Sequence, residues 1–330
     1  MRLIGVVEEK NAVDKTRPSY TLVLTHDIDV LSVCELPISG RTLWGFVYRC
    51  LLVNLRRFII RRLSLQEYMN SVKGVVLLPL VRRNLARDPW RQSLTVMLDV
   101  ERRLGVRSTL FFIPFSRYSG HRNLGNPAPR HRAAHYELAQ FQDLIRELDR
   151  DGWEVGLHGI DAHLDTYRAK EELNAIRVVV PHRQRIGVRM HWLYLTEEQS
   201  WKAFEDAGLA YDASLGWNDR VGFPRGQYQP FVPQGLQSLV VLPLVIQDNA
   251  VLGGRNQYAG REEAWHRVEQ VLQLARRERA VVTILWHNNS FVAPRYWGWL
   301  YEALIQQARK DGARICRAID AVELFSKGEL

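Results

Sequence analysis

The stretch YTLVLTHDID, residues Tyr20 to Asp29, decides the fold. Tyr20 to Thr25 is short, apolar and β-branched, the pattern of a strand buried on both faces. It runs directly into His26-Asp27-Ile28-Asp29. Asp27 and Asp29 are two apart, so on extended chain they point the same way. Two carboxylates held together repel unless a cation or a shared proton relieves them. A divalent metal is one solution, with one carboxylate as ligand and the other taking a proton from water. An Asp-rich turn that caps a helix is the plainer alternative.

Beyond this strand, residues 31–91 read as a mostly helical insertion. Within it Leu43 to Leu63 (LWGFVYRCLLVNLRRFIIRRL) is apolar and aromatic but interrupted by Arg49, Arg56 and Arg57. That makes a poor transmembrane span. It fits either an amphipathic helix in peripheral contact with a membrane or a buried helix whose Arg side chains reach solvent.

Regular alternation follows. Helices are predicted at Ser93–Leu104, Leu138–Arg150, Thr166–Val179, Thr196–Ala207, Arg261–Arg277 and Tyr296–Arg309. Strands are predicted at Ser108–Phe115, Trp153–His158, Gly187–Trp192, Leu209–Ala213, Leu239–Gln247, Ala280–Trp286 and Arg314–Cys316, before a short C-terminal helix. This βαβ order implies a parallel sheet. About seven units spread over 1–330 suggest a single barrel domain.

In such a barrel the C-terminal strand ends form the active face. Asp27 and Asp29 follow the first strand there. His158, Asp161 and His163 follow the strand at Trp153. Arg189 and His191 end the strand at Gly187, Asp212 follows the next, and His287 follows Ala280–Trp286. Two imidazoles plus a carboxylate suit Zn²⁺ and leave positions open for water and substrate. His287 suits a general acid or a structural role. Arg189 suits a bidentate partner for a carboxylate or a binder of acidic substrate.

The bulk numbers narrow the class. The 330 residues are 46% hydrophobic and 25% charged, which is globular composition. The net charge of +9, mostly from Arg, favours anionic partners such as acidic glycans, lipid headgroups or sugar diphosphates. No nucleic-acid-binding module is recognisable, so no nucleic acid is expected as partner. Cys34, Cys50 and Cys316 are odd in number and lack CxxC spacing, which fits a reducing compartment. Met1 to Lys10 is too polar and acidic for a signal peptide. The expected location is cytoplasmic, either free or peripheral at the inner face of the membrane.

The ordered motifs resemble the polysaccharide deacetylases, metal-dependent enzymes on a distorted (β/α)7 barrel. Thr25-His26-Asp27-Ile28-Asp29 is similar to the family's paired Asp motif. His158 and His163 resemble its His pair, Arg189-Met190-His191-Trp192 its Arg motif, Tyr211-Asp212-Ala213-Ser214 an acidic element, and Trp286-His287 its last motif. The likeness spans nearly the whole chain from Tyr20, apart from the insertion.

The resemblance implies that Asp29, His158 and His163 hold a divalent ion, Zn²⁺ first, with Co²⁺ or Ni²⁺ as alternatives. It implies Asp27 as general base, Arg189 orienting Asp27, His287 protonating the leaving amine, and Asp212 tuning His287. The family's His pair is four apart, whereas position 162 here is Ala and His163 is five from His158. Asp161 is therefore an alternative ligand.

The expected activity is hydrolysis of the acetamide of an N-acetylated sugar, in a surface polysaccharide or its lipid-linked precursor, with an anionic or lipid-linked glycan as substrate. The competing readings are an impaired deacetylase-like glycan-binding protein, with Trp217, Phe223, Tyr228, Trp297 and Trp299 stacking on sugars, or a hydrolase of another linear or cyclic amide.

Overall fold

The computed structural model describes residues 17–36, 40–88 and 90–330; Met1 to Lys10, read above for a leader, lies outside them. The strands are β1 (Thr21–Ile28), β2 (Thr109–Phe112), a hairpin of β3 (His121–Asn123) and β4 (Asn126–Pro127), β5 (Glu154–Gly159), β6 (Val188–Met190), β7 (Tyr211–Asp212), β8 (Val240–Val241), β9 (Leu244–Gln247), β10 (Val281–Leu285) and β11 (Arg314–Cys316). All but the hairpin join one parallel sheet in the order β8-β7-β6-β5-β2-β1-β10-β9, with β11 beside the first half of β1.

The two ends of that order, β8 and β9, are separated in the chain by only Leu242 and Pro243. The sheet therefore curls until its ends are neighbours. Residues 240–247, expected as one strand, pair with β7 through their first part and with β10 through their last. Pro243 sits at the switch, where the ladder has no N–H to lose. Taken as one strand, this segment makes the seventh stave of a distorted (β/α)7 barrel.

The period of two in β1 separates inside from outside. Leu22 and Leu24 join the large core under the surrounding helices. Val23 instead packs with Phe111, Tyr211 and Val281 in the barrel, against Ala318, Ile319 and Val322 of a helix at Ala318–Lys327. Thr25 and Asp27 continue the Val23 side, so Asp27 points into the barrel mouth. Gly187, just before β6, leaves room for Tyr211: a Cβ there would lie 1.9 Å from the phenol ring.

The insertion is helical as expected. It comprises α1 (Arg41–Tyr48), a π-helical turn at Arg49–Val53, α2 (Asn54–Ile59), α3 (Leu65–Val76) and α4 (Leu78–Arg82), followed by α5 (Arg91–Leu104). Ser64 and Glu67 close a capping box at the start of α3. Leu43, Phe46, Cys50 and Val81 form a small separate core with Trp90 and Ala293. The insertion also clamps the 293–295 turn at the barrel rim: Trp90 Nε1 donates to Ala293 O at 3.0 Å and Asn54 Nδ2 to Pro294 O at 3.0 Å. None of the described helices is long and apolar enough to cross a membrane.

Candidate metal centre

Asp27 lies within β1, which runs three residues further than its apolar pattern suggested, and Asp29 follows just beyond. His158 is on β5, Arg189 on β6, and His191 immediately after β6. His287 follows β10. These strand ends bring Asp29, His158 and His191 together, with one potential ligand atom from each lying within 4.8 Å of the others. Asp29 Oδ1 is 3.2 Å from His158 Nε2 and 3.4 Å from His191 Nδ1.

Proton placement shows what this cluster suits. His158 Nδ1–H donates to Arg189 O at 2.9 Å, and His191 Nε2–H donates to Arg132 O at 2.9 Å. A carbonyl only accepts, so both outer nitrogens carry the proton. The inner nitrogens, His158 Nε2 and His191 Nδ1, then face each other at 2.9 Å as two lone pairs. Asp29 Oδ1 beside them is buried and has no hydrogen-bond partner. Burial pushes the His191 imidazolium down, so protonation is a poor remedy. Two imidazole lone pairs and an orphaned carboxylate oxygen fit the donor set of a divalent cation, with the outer N–H groups fixed by carbonyls as such ligands usually are.

His163, expected as the second imidazole, is not part of this cluster. Its Nε2 lies 3.1 Å from Arg122 O, and its ring tilts against Tyr194. Asp161, the alternative, is saturated: it accepts from Tyr118 Oη at 2.5 Å and from the His121 backbone N–H at 2.6 Å, and pairs with His121 Nδ1 at 2.7 Å. Glu172 fixes the same loop by accepting from the N–H groups of Ile160 and Asp161 at 2.8 and 2.6 Å.

Around the cluster stand further titratable groups. Asp27 Oδ2 is 3.6 Å from His158 Nε2, and its buried Oδ1 has no hydrogen-bond partner. Arg189, fully buried, donates to Thr25 Oγ1 at 3.1 Å and approaches Asp27 Oδ1 to 3.7 Å. His287 Nε2 is 3.6 Å from Asp29 Oδ2, while its Nδ1 is 2.8 Å from Asp248 Oδ1. Asp248 also accepts the His287 backbone N–H at 2.9 Å and a bond from Ser290 Oγ. Burial disfavours the imidazolium of His287, but Asp248 and then Asp29 outweigh it and push the pKa up to about 9.

Asp212 does not take the tuning role expected of it. It accepts from Trp201 Nε1 at 3.0 Å, from Ser214 N–H at 2.9 Å and from Ser214 Oγ. Burial raises its carboxyl. It secures the turn after β7, while Asp248 is the partner of His287. Asp248 directly follows the predicted strand that ends at Gln247, which was the available sign. Arg132 is the other residue whose part was not legible. It lies in an Arg-rich loop, yet it is buried and donates to Ser119 O, Ile160 O and His191 O. It positions His191.

The cluster opens on a cavity of about 180 Å³ lined by Asp27, Asp29, His191, Gln247, His287 and Arg295, among others. Trp192 and Leu193, with φ of 60° and 56°, turn the chain sharply at its wall. Such strain in non-glycine residues concentrates at functional sites. Phe223 is buried against Tyr228, and Trp297 is buried, which makes these two aromatics packing groups rather than open sugar platforms.

No protein-family model matches the chain, and no curated protein does. Among solved structures, a Mycobacterium smegmatis protein assigned as a polysaccharide deacetylase aligns with a TM-score of 0.55 over 95% of this chain and 92% of its own, at 16% identity. The chain has the polysaccharide deacetylase fold. Looser matches, too distant to bear on the fold, are a Bordetella bronchiseptica protein assigned as a polysaccharide deacetylase of O-antigen biosynthesis (TM-score 0.37, 14% identity, 92% and 82% covered) and the chitin deacetylase of Colletotrichum lindemuthianum (0.44, 12%, 93% and 88%). In this deacetylase fold the cluster lies at the C-terminal strand ends, where a barrel carries its chemistry.

Proposed function

We propose that this chain is a metal-dependent hydrolase of the acetamide group of N-acetylated sugars. One observation carries the reading: Asp29, His158 and His191 converge as a candidate cation-ligand set, and Asp29 and His191 share a small cavity with Asp27 and with His287, which Asp248 holds from behind. A divalent ion at such a site polarises a carbonyl and lowers the pKa of water. Zn²⁺ fits two imidazoles and one carboxylate, and Co²⁺ or Ni²⁺ accept the same donors.

The chain's own residues divide the remaining work. Asp27 accepts the proton of the attacking water. Arg189, at 3.7 Å, orients Asp27 at the mouth. His287 Nε2 faces the cavity and gives a proton to the departing sugar amine, while Asp248 holds its Nδ1 side. The products are acetate and the free amine. Arg132 fixes His191 through its ring and its backbone carbonyl.

The setting at a membrane surface is part of the proposal. Trp44, Tyr48, Leu52, Leu55 and Ile59 recur at helical spacing and are all exposed. Among the described residues, eleven of the eighteen exposed large hydrophobics lie between Trp44 and Leu85, so the exposed apolar surface is concentrated on the insertion. Arg41 and Arg56 flank the stripe, which suits anionic lipid headgroups on the cytoplasmic face.

The test is acetate release from N-acetylglucosamine oligomers by the purified chain. We expect release that a chelator stops and Zn²⁺ or Co²⁺ restores, and none from Asp27→Asn. Release that is indifferent to chelator, or equal in Asp27→Asn, contradicts the reading.

A further inference from the structure

A second cavity, of about 240 Å³, lies between the insertion and the barrel rim. Four arginines line it, Arg57, Arg61, Arg62 and Arg261, against a single acid, Glu262. None of the four has an ion-pair partner among the described residues, although Arg residues elsewhere on this chain pair often, as in Arg103–Glu302 and Arg276–Asp311.

Arg57 is the telling member. It is only 7% exposed. Its Nη1 donates to Asn54 Oδ1 at 2.9 Å, Pro294 O at 3.1 Å and Arg295 O at 3.2 Å, all neutral acceptors. Its buried Nε has no hydrogen-bond partner. Glu67 is near enough to favour its charge but makes no ion pair with it, and a buried guanidinium with an idle N–H and no contacting counter-charge is costly unless an anion completes it.

A second observation agrees. The 18-residue helix Arg261–Glu278 begins at this cavity, and its N-cap Gly260 has no side chain to cap the free N–H groups. Arg62 Nη1 lies 2.5 Å from where a Gly260 Cβ would stand, so a cation is set against the positive end of a helix dipole. That arrangement favours an anion between them.

The cavity is close to the metal centre along two segments. Arg295 lines the catalytic cavity and Trp297 lines this one, two residues on, at most roughly 7 Å of chain. Asn249 lines the catalytic cavity and Leu252 this one, three residues apart on the short helix Asp248–Leu252 that follows β9. Arg57 itself holds the Arg295 carbonyl.

We propose that this cavity is an anion subsite that takes the phosphate or diphosphate group of a phosphorylated N-acetyl sugar while its acetamide lies at the metal centre. A net of three positive charges among the lining groups, with guanidinium forks, suits a multiply charged phosphoryl group better than a single carboxylate. The inference rests on the hydrolase reading for its substrate but not for its anion.

The test uses the full chain and the double variant Arg61→Gln/Arg62→Gln, both positions being exposed, so the fold survives the change. Calorimetry with inorganic phosphate should show binding that persists in Asp29→Ala, which excludes the metal centre, and weakens at least tenfold in the double variant. In the zinc-loaded protein, an N-acetylglucosamine disaccharide 1-phosphate should have a KM at least tenfold below that of the neutral disaccharide, and the double variant should erase this gap with kcat unchanged. A lower KM again for a short prenyl-linked phosphate assigns the phosphoryl group to a lipid carrier; equal values assign it to a soluble sugar phosphate. No Arg-dependent phosphate binding, or equal KM for both disaccharides, overturns the subsite while leaving the hydrolase standing. Arg-dependent phosphate binding without acetate release from any substrate sinks the hydrolase reading and keeps the anion site. If the double variant loses binding to phosphatidylglycerol vesicles but keeps the KM gap, the arginines serve the membrane and the substrate proposal is wrong.

Discussion

His158 lies on β5 and His163 five residues further on, past its end, and their surroundings differ in kind. At His158 the protein leaves lone pairs unmet: two inner nitrogens 2.9 Å apart and a buried, unpartnered Asp29 Oδ1. Around His163 the neighbouring charge is already satisfied. Asp161 takes bonds from Tyr118 and His121, and Glu172 holds two N–H groups of the loop. The first cluster is built for something the chain does not itself supply. The second leaves only the buried His163 Nδ1 without a partner, its carboxylates being bonded, and it stiffens the wall of the barrel mouth. Buried polar groups are normally bonded, so an unsatisfied set at a strand end is the functional signal.

Substitutions can break that contrast. The largest expected effect is from Asp29→Ala, which removes the carboxylate ligand. Both bound ion and turnover should go, with acetate release down by about four orders of magnitude, given several kcal/mol of metal assistance. Elemental analysis beside the rate assay checks it. Asp27→Asn should keep the ion at one per chain but lower kcat about 10³-fold, the scale of a general base. Normal turnover in that variant removes Asp27 from the mechanism.

Asp248→Asn sharpens the contrast at His287. Asp248 favours the imidazolium and lifts its pKa to about 9 against the pull of burial. Without that charge the proton leaves at lower pH, so the alkaline limb of kcat/KM should move to lower pH and kcat should fall about 10²-fold. An unmoved limb assigns it to another group.

Asp212→Asn should behave as a core change. It weakens bonds to Trp201 and Ser214, lowering stability by about 1–3 kcal/mol, while kcat changes less than threefold. Thermal melting and the rate assay separate the two.

The barrel was legible because its strands are continuous apolar runs that end in polar residues, and Thr166–Val179 even begins and ends where its pattern does. Asp27, Asp29, His158, Arg189 and His287 were visible for the same reason. His191 was also in view, at the end of its strand, but sequence spacing favoured His163 as the partner of His158. What decides is the parallel register: His158 sits opposite Arg189 in the β5–β6 ladder, so His191 emerges beside it at the mouth. Position 163 is already in a turn leading away. Asp248 was hidden because the strand before it changes partners at Pro243, a feature of barrel closure that no local pattern carries. Arg132 was hidden because a basic loop looks exposed until its carbonyl partners are known.

The central claim is that His191, not His163, completes the ion site, and one titration tests it. Zn²⁺ binding would be measured by calorimetry on the wild-type chain, His191→Ala and His163→Ala after chelator treatment. The account predicts one site per chain in wild type, the same affinity within about threefold in His163→Ala, and at least 100-fold weaker binding in His191→Ala. Loss of the ion in His163→Ala with retention in His191→Ala contradicts it.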